Sequence, residues 1–259
     1  MTASSFKVKI AAALDPALLM EASGRTPDPW QRKLLRSRSP RLLLLCARQT
    51  GKSTATAVLA LHRAIYRPRS LVLLLSPGLR QSQELFRKLM EVFDAISKKP
   101  SVLKRSAVEL ELVNGSRVVS LPCSEGTIRG YSGAALLVID EASRVPDDLF
   151  AAVRPMIATS SGAIICLSSP FGKRGFFYEA YVNGGPHWER FKVTAEQCPR
   201  ISREFLEEER QLHSAHSFAQ EYFCEFVSTS AQVFDRDLVS AAFDSEIFAL
   251  PWEDSPNAR

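Results

Sequence analysis

The chain has 259 residues, 46% of them apolar and 24% charged, with a net charge of +5. That length accommodates one large α/β domain or a core with a small appendage, and the composition excludes a disordered or collagen-like chain. The surplus of basic groups suits a nucleic-acid partner, with a solvated basic face as the equally weighted alternative.

Residues 1–26 read as an N-terminal arm. Ile10 to Leu14 is too short to span a bilayer or to act as a signal core, and Asp15-Pro16 interrupts it before Ala17-Leu18-Leu19-Met20. A soluble protein is expected. Arg25, Arg32, Lys33, Arg36, Arg38 and Arg41 cluster ahead of the first strand. Within that stretch, the Gln31 amide offers a donor and an acceptor suited to the Hoogsteen edge of adenine, and Trp30 offers packing area or a place in the core.

The apolar run Leu42–Leu45 predicts a buried strand. It leads into Cys-Ala-Arg-Gln-Thr-Gly-Lys-Ser, residues 46–53, a phosphate-binding loop lacking its first glycine. A Gly-Lys-Ser turn between a strand and a helix aims backbone N–H groups and an ammonium at a polyphosphate and leaves a hydroxyl for Mg²⁺. Arg48, Gln49, Thr50, Gly51, Lys52, Ser53 and Thr54 are therefore the candidate nucleotide-binding residues.

Leu71–Leu75, Leu136–Ile139 and Ala163–Leu167 predict further strands buried on both faces, because none alternates cleanly. A helix is expected from Arg80 to Lys98. Val108–Val113 and Arg117–Leu121 flank Asn114-Gly115, a hairpin signal that adds antiparallel strands to a mainly parallel sheet. Helices are expected over Asp147–Met156 and most of Ser202–Phe226. His213 and His216 stand three apart on the latter with no further ligand to complete a metal site. The five widely spaced cysteines form no C-x-x-C and suit a reducing, cytosolic compartment.

The strand Leu136–Ile139 ends in Asp140-Glu141. This places one carboxylate for Mg²⁺ and the next for polarising water in nucleotide hydrolysis. Ser168-Ser169-Pro170 follows another strand and on its own reads as a plain turn.

The order Trp30-Gln31, Arg48–Ser53, Ile128-Arg129-Gly130, Val138–Glu141 and Ser168-Ser169-Pro170 resembles the ATPase domain of the large terminase subunit of tailed bacteriophages. Phe218–Phe226 resembles the end of that domain. The resemblance covers roughly residues 27–234 and accounts for Cys46 in place of glycine. It implies a RecA/ASCE-like P-loop NTPase: a mainly parallel sheet flanked by helices, with a core over 27–197 and a small helical lid over 198–232. The implied activity is that of a DNA-packaging motor hydrolysing Mg-ATP. In it Ser53 and Asp140 hold Mg²⁺, Glu141 activates water, and Ser168 and Ser169 couple hydrolysis to movement. Arg48 contacts the γ-phosphate and Arg129 acts on a neighbouring subunit's ATP, with DNA contact or a salt bridge as the competing role for Arg129. The implied partners are double-stranded DNA, the capsid portal, the small terminase subunit and further copies in a ring. Residues 233–259 read as a linker without a nuclease framework, so an excised domain or a nuclease-free relative is expected. A helicase-like nucleic-acid ATPase and a non-catalytic nucleotide-gated assembly module are the alternatives.

Overall fold

A computed structural model describes residues 11–128 and 130–227. Arg129 and the expected C-terminal linker, together with the last residues assigned to the lid, lie outside the described residues.

Helix α1 (Pro16–Ala22) starts where the Asp15 carboxylate accepts a hydrogen bond from Ala17 N, and proline occupies its first turn. Its Ala17, Leu19 and Met20 are buried in the main core, so this part of the N-terminal arm packs on the domain. Helix α2 (Pro29–Leu35) follows, then strand β1 (Arg41–Cys46), helix α3 (Lys52–Tyr66), strand β2 (Leu71–Ser76) and helix α4 (Leu79–Ala95). Strands β3 (Val102–Arg105), β4 (Glu109–Leu112) and β5 (Arg117–Pro122) form a meander, and a helical turn α5 (Glu125–Ile128) leads on to β6 (Ala134–Asp140). The second half contains α6 (Asp147–Val153), β7 (Ala163–Ser168), α7 (Gly175–Asn183), β8 (Glu189–Val193), α8 (Arg203–Leu212) and α9 (Ala215–Phe223).

The strands form one eight-stranded sheet in the order β3-β4-β5-β2-β6-β7-β1-β8. Pairing is parallel from β5 through β8, while β3-β4 and β4-β5 are antiparallel. The Asn114-Gly115 turn joins β4 to β5 as expected. Gly115 adopts φ 79°, and the Asn114 amide donates to the Ala64 and Ile65 carbonyls at 2.9 and 3.1 Å, capping the end of α3.

Alternate side chains of each all-apolar strand enter different cores. Leu42, Leu44, Val72, Leu74, Leu136 and Val138 pack against α1 to α4. Leu43, Leu45, Leu73, Leu75, Leu137 and Ile139 pack with Val153, Phe176 and Phe177 on the opposite face. This double burial explains the lack of alternation in the sequence.

Two edge strands carry little signal in the sequence. Strand β3 is fully exposed, and β8 alternates Phe191 and Val193 with charged residues in a run too short and polar to stand out. The helical stretch after residue 202 breaks at His213, whose backbone is extended, and restarts where Ser214 accepts from Ser217 N. His213 and His216 thus fall on different elements. Leu206 and Cys224 join the second core, and Phe226 lies against the rings of Phe177, Tyr178 and Tyr181 on α7. Among the described residues no helix is long and apolar enough to cross a membrane.

Candidate nucleotide site

In an open parallel sheet, ligands gather at the carboxyl ends of the strands. Here β7 lies between β1 and β6, so the loop after β1 faces the acidic end of β6 across one strand. The loop closes on itself where Thr50 Oγ1 donates to Ala47 O at 2.9 Å. Gln49 at φ 61° and Gly51 at φ 89° turn the backbone into α3. A Cβ on Gly51 would meet Gln31 Nε2 at 2.8 Å and Arg200 Nη2 at 3.2 Å, so this position excludes a side chain on both backbone and steric grounds. The first N–H groups of α3, at Lys52, Ser53 and Thr54, have no acceptor within the helix and form an anion-binding end.

Cys46 occupies the place of the missing glycine. It is fully buried, and burial pushes its thiol pKa well up. Cys224 stands nearby and its thiol donates to Val193 O at 3.2 Å, so a small neutral side chain seals the base of the loop.

Asp140 is 7% exposed and accepts a hydrogen bond from Glu141 N at 2.9 Å. Burial raises its carboxyl pKa to about 6; Lys52 opposes that rise and Glu141 adds to it. Glu141 has left-handed backbone, φ 49° and ψ 41°, an unfavourable conformation for a side chain of this size. That turn aims its carboxylate back at the loop, where Lys52 Nζ stands 3.4 Å from Glu141 Oε1. Arg48, Gln49, Gly51, Lys52, Ser53, Thr54, Asp140, Glu141 and Ser169 line one cleft of about 860 Å³. The expected residues are thereby brought together, and Arg80, Lys88 and Arg144 add cations to the same walls.

Three expected residues are placed differently from their anticipated contacts. Gln31 is 2% exposed and presents no free edge to a base: its amide oxygen accepts from Asp28 N at 2.9 Å and its Nε2 donates to Gly51 O at 3.3 Å. A capping box on α2 takes up the amide that adenine recognition would require. Arg48 is ion-paired with Glu221 of α9 and so ties the loop to the helical segment. Ser168 is fully buried behind the cleft, its hydroxyl 2.6 Å from Ser143 Oγ. Ser143 Oγ also donates to Ser169 O at 2.9 Å. Ser168-Ser169 is therefore wired to the turn after Glu141 and is not an isolated turn.

Sequence reasoning missed Ser143, Asp28 and Arg200. Ser143 had a signal, its position two residues beyond Glu141. Arg200 had none: its guanidinium reaches back to Asp28 Oδ1 at 2.8 Å and Thr50 O at 2.9 Å, contacts spanning more than a hundred residues of chain. Among the described residues, no group of three or more His, Cys, Asp or Glu side chains forms a metal cluster.

The sheet order and the loop together define a P-loop nucleoside triphosphatase fold. Residues 43–241 match the family model described as "Terminase large subunit, T4likevirus-type, N-terminal", and the chain belongs to that family. It is 28% identical to the terminase large subunit of Thermus phage G20c over 83% of this chain and 51% of that protein. The chain thus spans about half the length of the curated relatives it matches. The large terminase ATPase domain of Thermus phage P74-26 superposes with a TM-score of 0.70 at 24% identity, covering 80% of this chain and 97% of that one. A large terminase from a thermophilic bacteriophage, solved in complex with ATP-gamma-S, superposes at 0.61 and 11% identity, covering 81% and 52%.

Proposed function

We propose that this domain hydrolyses ATP and supplies the force-generating step of a phage DNA-packaging motor. The observation that carries the reading is the approach of Lys52 to Glu141 beside the buried Asp140, at the N-terminal end of α3. A polyphosphate seated on the loop N–H groups would draw Lys52 from Glu141, freeing that carboxylate to orient water toward the γ-phosphate and accept its proton. Gln49, Thr50, Gly51 and Thr54 shape and line the phosphate cradle.

The donor set also fits Mg²⁺. Ser53 offers a hydroxyl at the start of α3, and Asp140 is a carboxylate whose pKa is raised by burial, so a cation beside it would favour its charged form. When bound there, the ion would neutralise phosphate charge. Gln31 and Arg200 hold the outer side of the loop through Gly51 and Thr50, and Arg48 exchanges Glu221 for the γ-phosphate. Loss of that phosphate would be felt at Ser169 and passed through Ser168 and Ser143 to the helical segment. Arg129 is proposed to act on the nucleotide of a neighbouring copy, within a ring around double-stranded DNA assembled with a portal and a small terminase subunit.

Family membership supports this reading, as does the complex of the thermophilic-phage relative with ATP-gamma-S. Titration of a fluorescent ATP analogue with Mg²⁺ into wild type and Lys52→Ala tests it. Affinity at least tenfold weaker in the variant is expected, along with wild-type hydrolysis that rises on adding double-stranded DNA. Equal affinity would overturn the assigned site, and hydrolysis indifferent to DNA would favour a nucleotide-gated assembly role.

A further inference from the structure

Helix α3 separates two polar ends of the domain. Its first turn faces the nucleotide cleft, and its last faces a cavity of about 400 Å³ at the opposite pole, where β1, β6 and β7 begin. The floor of that cavity is apolar, formed by Leu42, Leu136 and Ile165. Its charged lining is entirely arginine: Arg36, Arg38, Arg63 and Arg67, with no carboxylate among the described lining residues.

Three of these four cations have no ion-pair partner among the described residues. Arg36 alone of the four is ion-paired, to Asp15 at 2.7 Å. Arg38 reaches only the backbone oxygen of Leu14, at 3.4 Å. The Arg63 and Arg67 guanidinium groups make no ion pair or hydrogen bond among the described residues. Burial lowers the Arg63 pKa, and the neighbouring Arg67 lowers it further. Of the other nearby acids, Glu21 acts on Arg36 but is itself paired with Arg32 at 2.8 Å, and Glu189 accepts from the Ser37 hydroxyl at 2.5 Å. His62 in the same wall is held neutral by burial, its Nε2 3.0 Å from Ala12 O. The sequence just before this region, residues 1–10, contains Lys7 and Lys9 and no acidic side chain.

Half-burying the Arg63 guanidinium beside the Arg67 charge is unfavourable unless an anion completes the site, while Arg36, Arg38 and Arg67 are exposed and free to turn toward it. Arginine in place of lysine at all four positions suits planar, two-pronged recognition of phosphate oxygens. We propose that this arginine-lined cavity is a second phosphate-binding site, remote from the nucleotide cleft, which takes phosphate groups of a nucleic-acid backbone or a free polyphosphate. The site stands independently of the ATPase reading.

The test compares wild type with the double variant Arg38→Gln/Arg67→Gln and with Arg63→Gln, using anisotropy of a labelled 30-base-pair duplex across a salt series. Nucleotide affinity and melting temperature serve as fold controls. If backbone phosphates occupy the site, the double variant binds DNA about tenfold or more weakly, and the slope of log affinity against log salt falls by about 2. A second arm titrates pyrophosphate by calorimetry into chains carrying Lys52→Ala, which removes the loop's own contribution. An unchanged DNA slope with pyrophosphate binding lost in the arginine variants identifies the free anion as occupant. DNA slope and pyrophosphate binding both unchanged in correctly folded variants would overturn the proposal.

Discussion

Ser143 Oγ lies 2.6 Å from Ser168 Oγ and donates to Ser169 O at 2.9 Å, joining the turn that carries Glu141 to the end of β7. Strands β6 and β7 are neighbours in the sheet, and these hydroxyls link their carboxyl ends directly. Ser168 is fully buried, and its hydroxyl needs a partner.

Replacing Ser143 by alanine leaves that hydroxyl without its 2.6 Å partner. Urea unfolding is expected to show a loss of about 1–3 kcal/mol. The Ser143→Ala chain should bind nucleotide within about threefold of wild type while its turnover falls by about tenfold or more, a difference of about 1.4 kcal/mol in the barrier. Equal loss of binding and turnover would assign Ser143 a purely structural role.

Arg200 and Asp28 should behave as a coupled pair. The Asp28 side chain is 9% exposed, so Arg200→Ala strands a buried carboxylate and releases Thr50 O, at a cost of about 2 kcal/mol. Removing both charges with Asp28→Asn/Arg200→Ala is expected to cost less than the sum of the single changes, as read from a double-mutant cycle of denaturation midpoints. Nucleotide affinity should fall in Arg200→Ala because the loop loses its outer support. Additive single effects would show that the contact carries no coupling.

The raised pKa of Asp140 gives two effects of opposite sign. A carboxyl whose pKa is higher folded than unfolded binds more protons in the folded state, so its contribution favours folding at low pH and is lost as pH rises through about 6. Without ligand, Asp140→Asn is therefore expected to melt above wild type at pH 8, with the gap closing near pH 4. Metal binding needs the ionised form, so Mg²⁺-dependent nucleotide affinity should weaken about tenfold between pH 7.5 and 5. Calorimetric melting and a nucleotide titration at each pH check both.

The parallel strands and the loop were legible because each is written locally. Leu42–Leu45 and Leu71–Leu75 are continuous apolar runs, Asn114-Gly115 fixes the hairpin, and Gly51-Lys52-Ser53 needs its own neighbours alone. What stayed hidden depends on contacts distant in sequence. Arg200 meets the loop only after β8 has paired beside β1, and Glu221 meets Arg48 only once α9 has docked. Gln31 shows a different limit. Its residue type suited base recognition, but it sits three positions after Asp28 at a helix start, where a glutamine side chain closes a capping box. The β8 edge strand was missed because only two of its five side chains are buried.

Glu141, turned toward Lys52 by its left-handed backbone, is proposed to activate the water that attacks ATP. The most direct test is steady-state Mg-ATP hydrolysis by wild type and Glu141→Gln, with nucleotide affinity measured on both. Turnover in the variant is expected to fall by about a hundredfold or more, with affinity kept within about threefold. Undiminished turnover in the variant would contradict it.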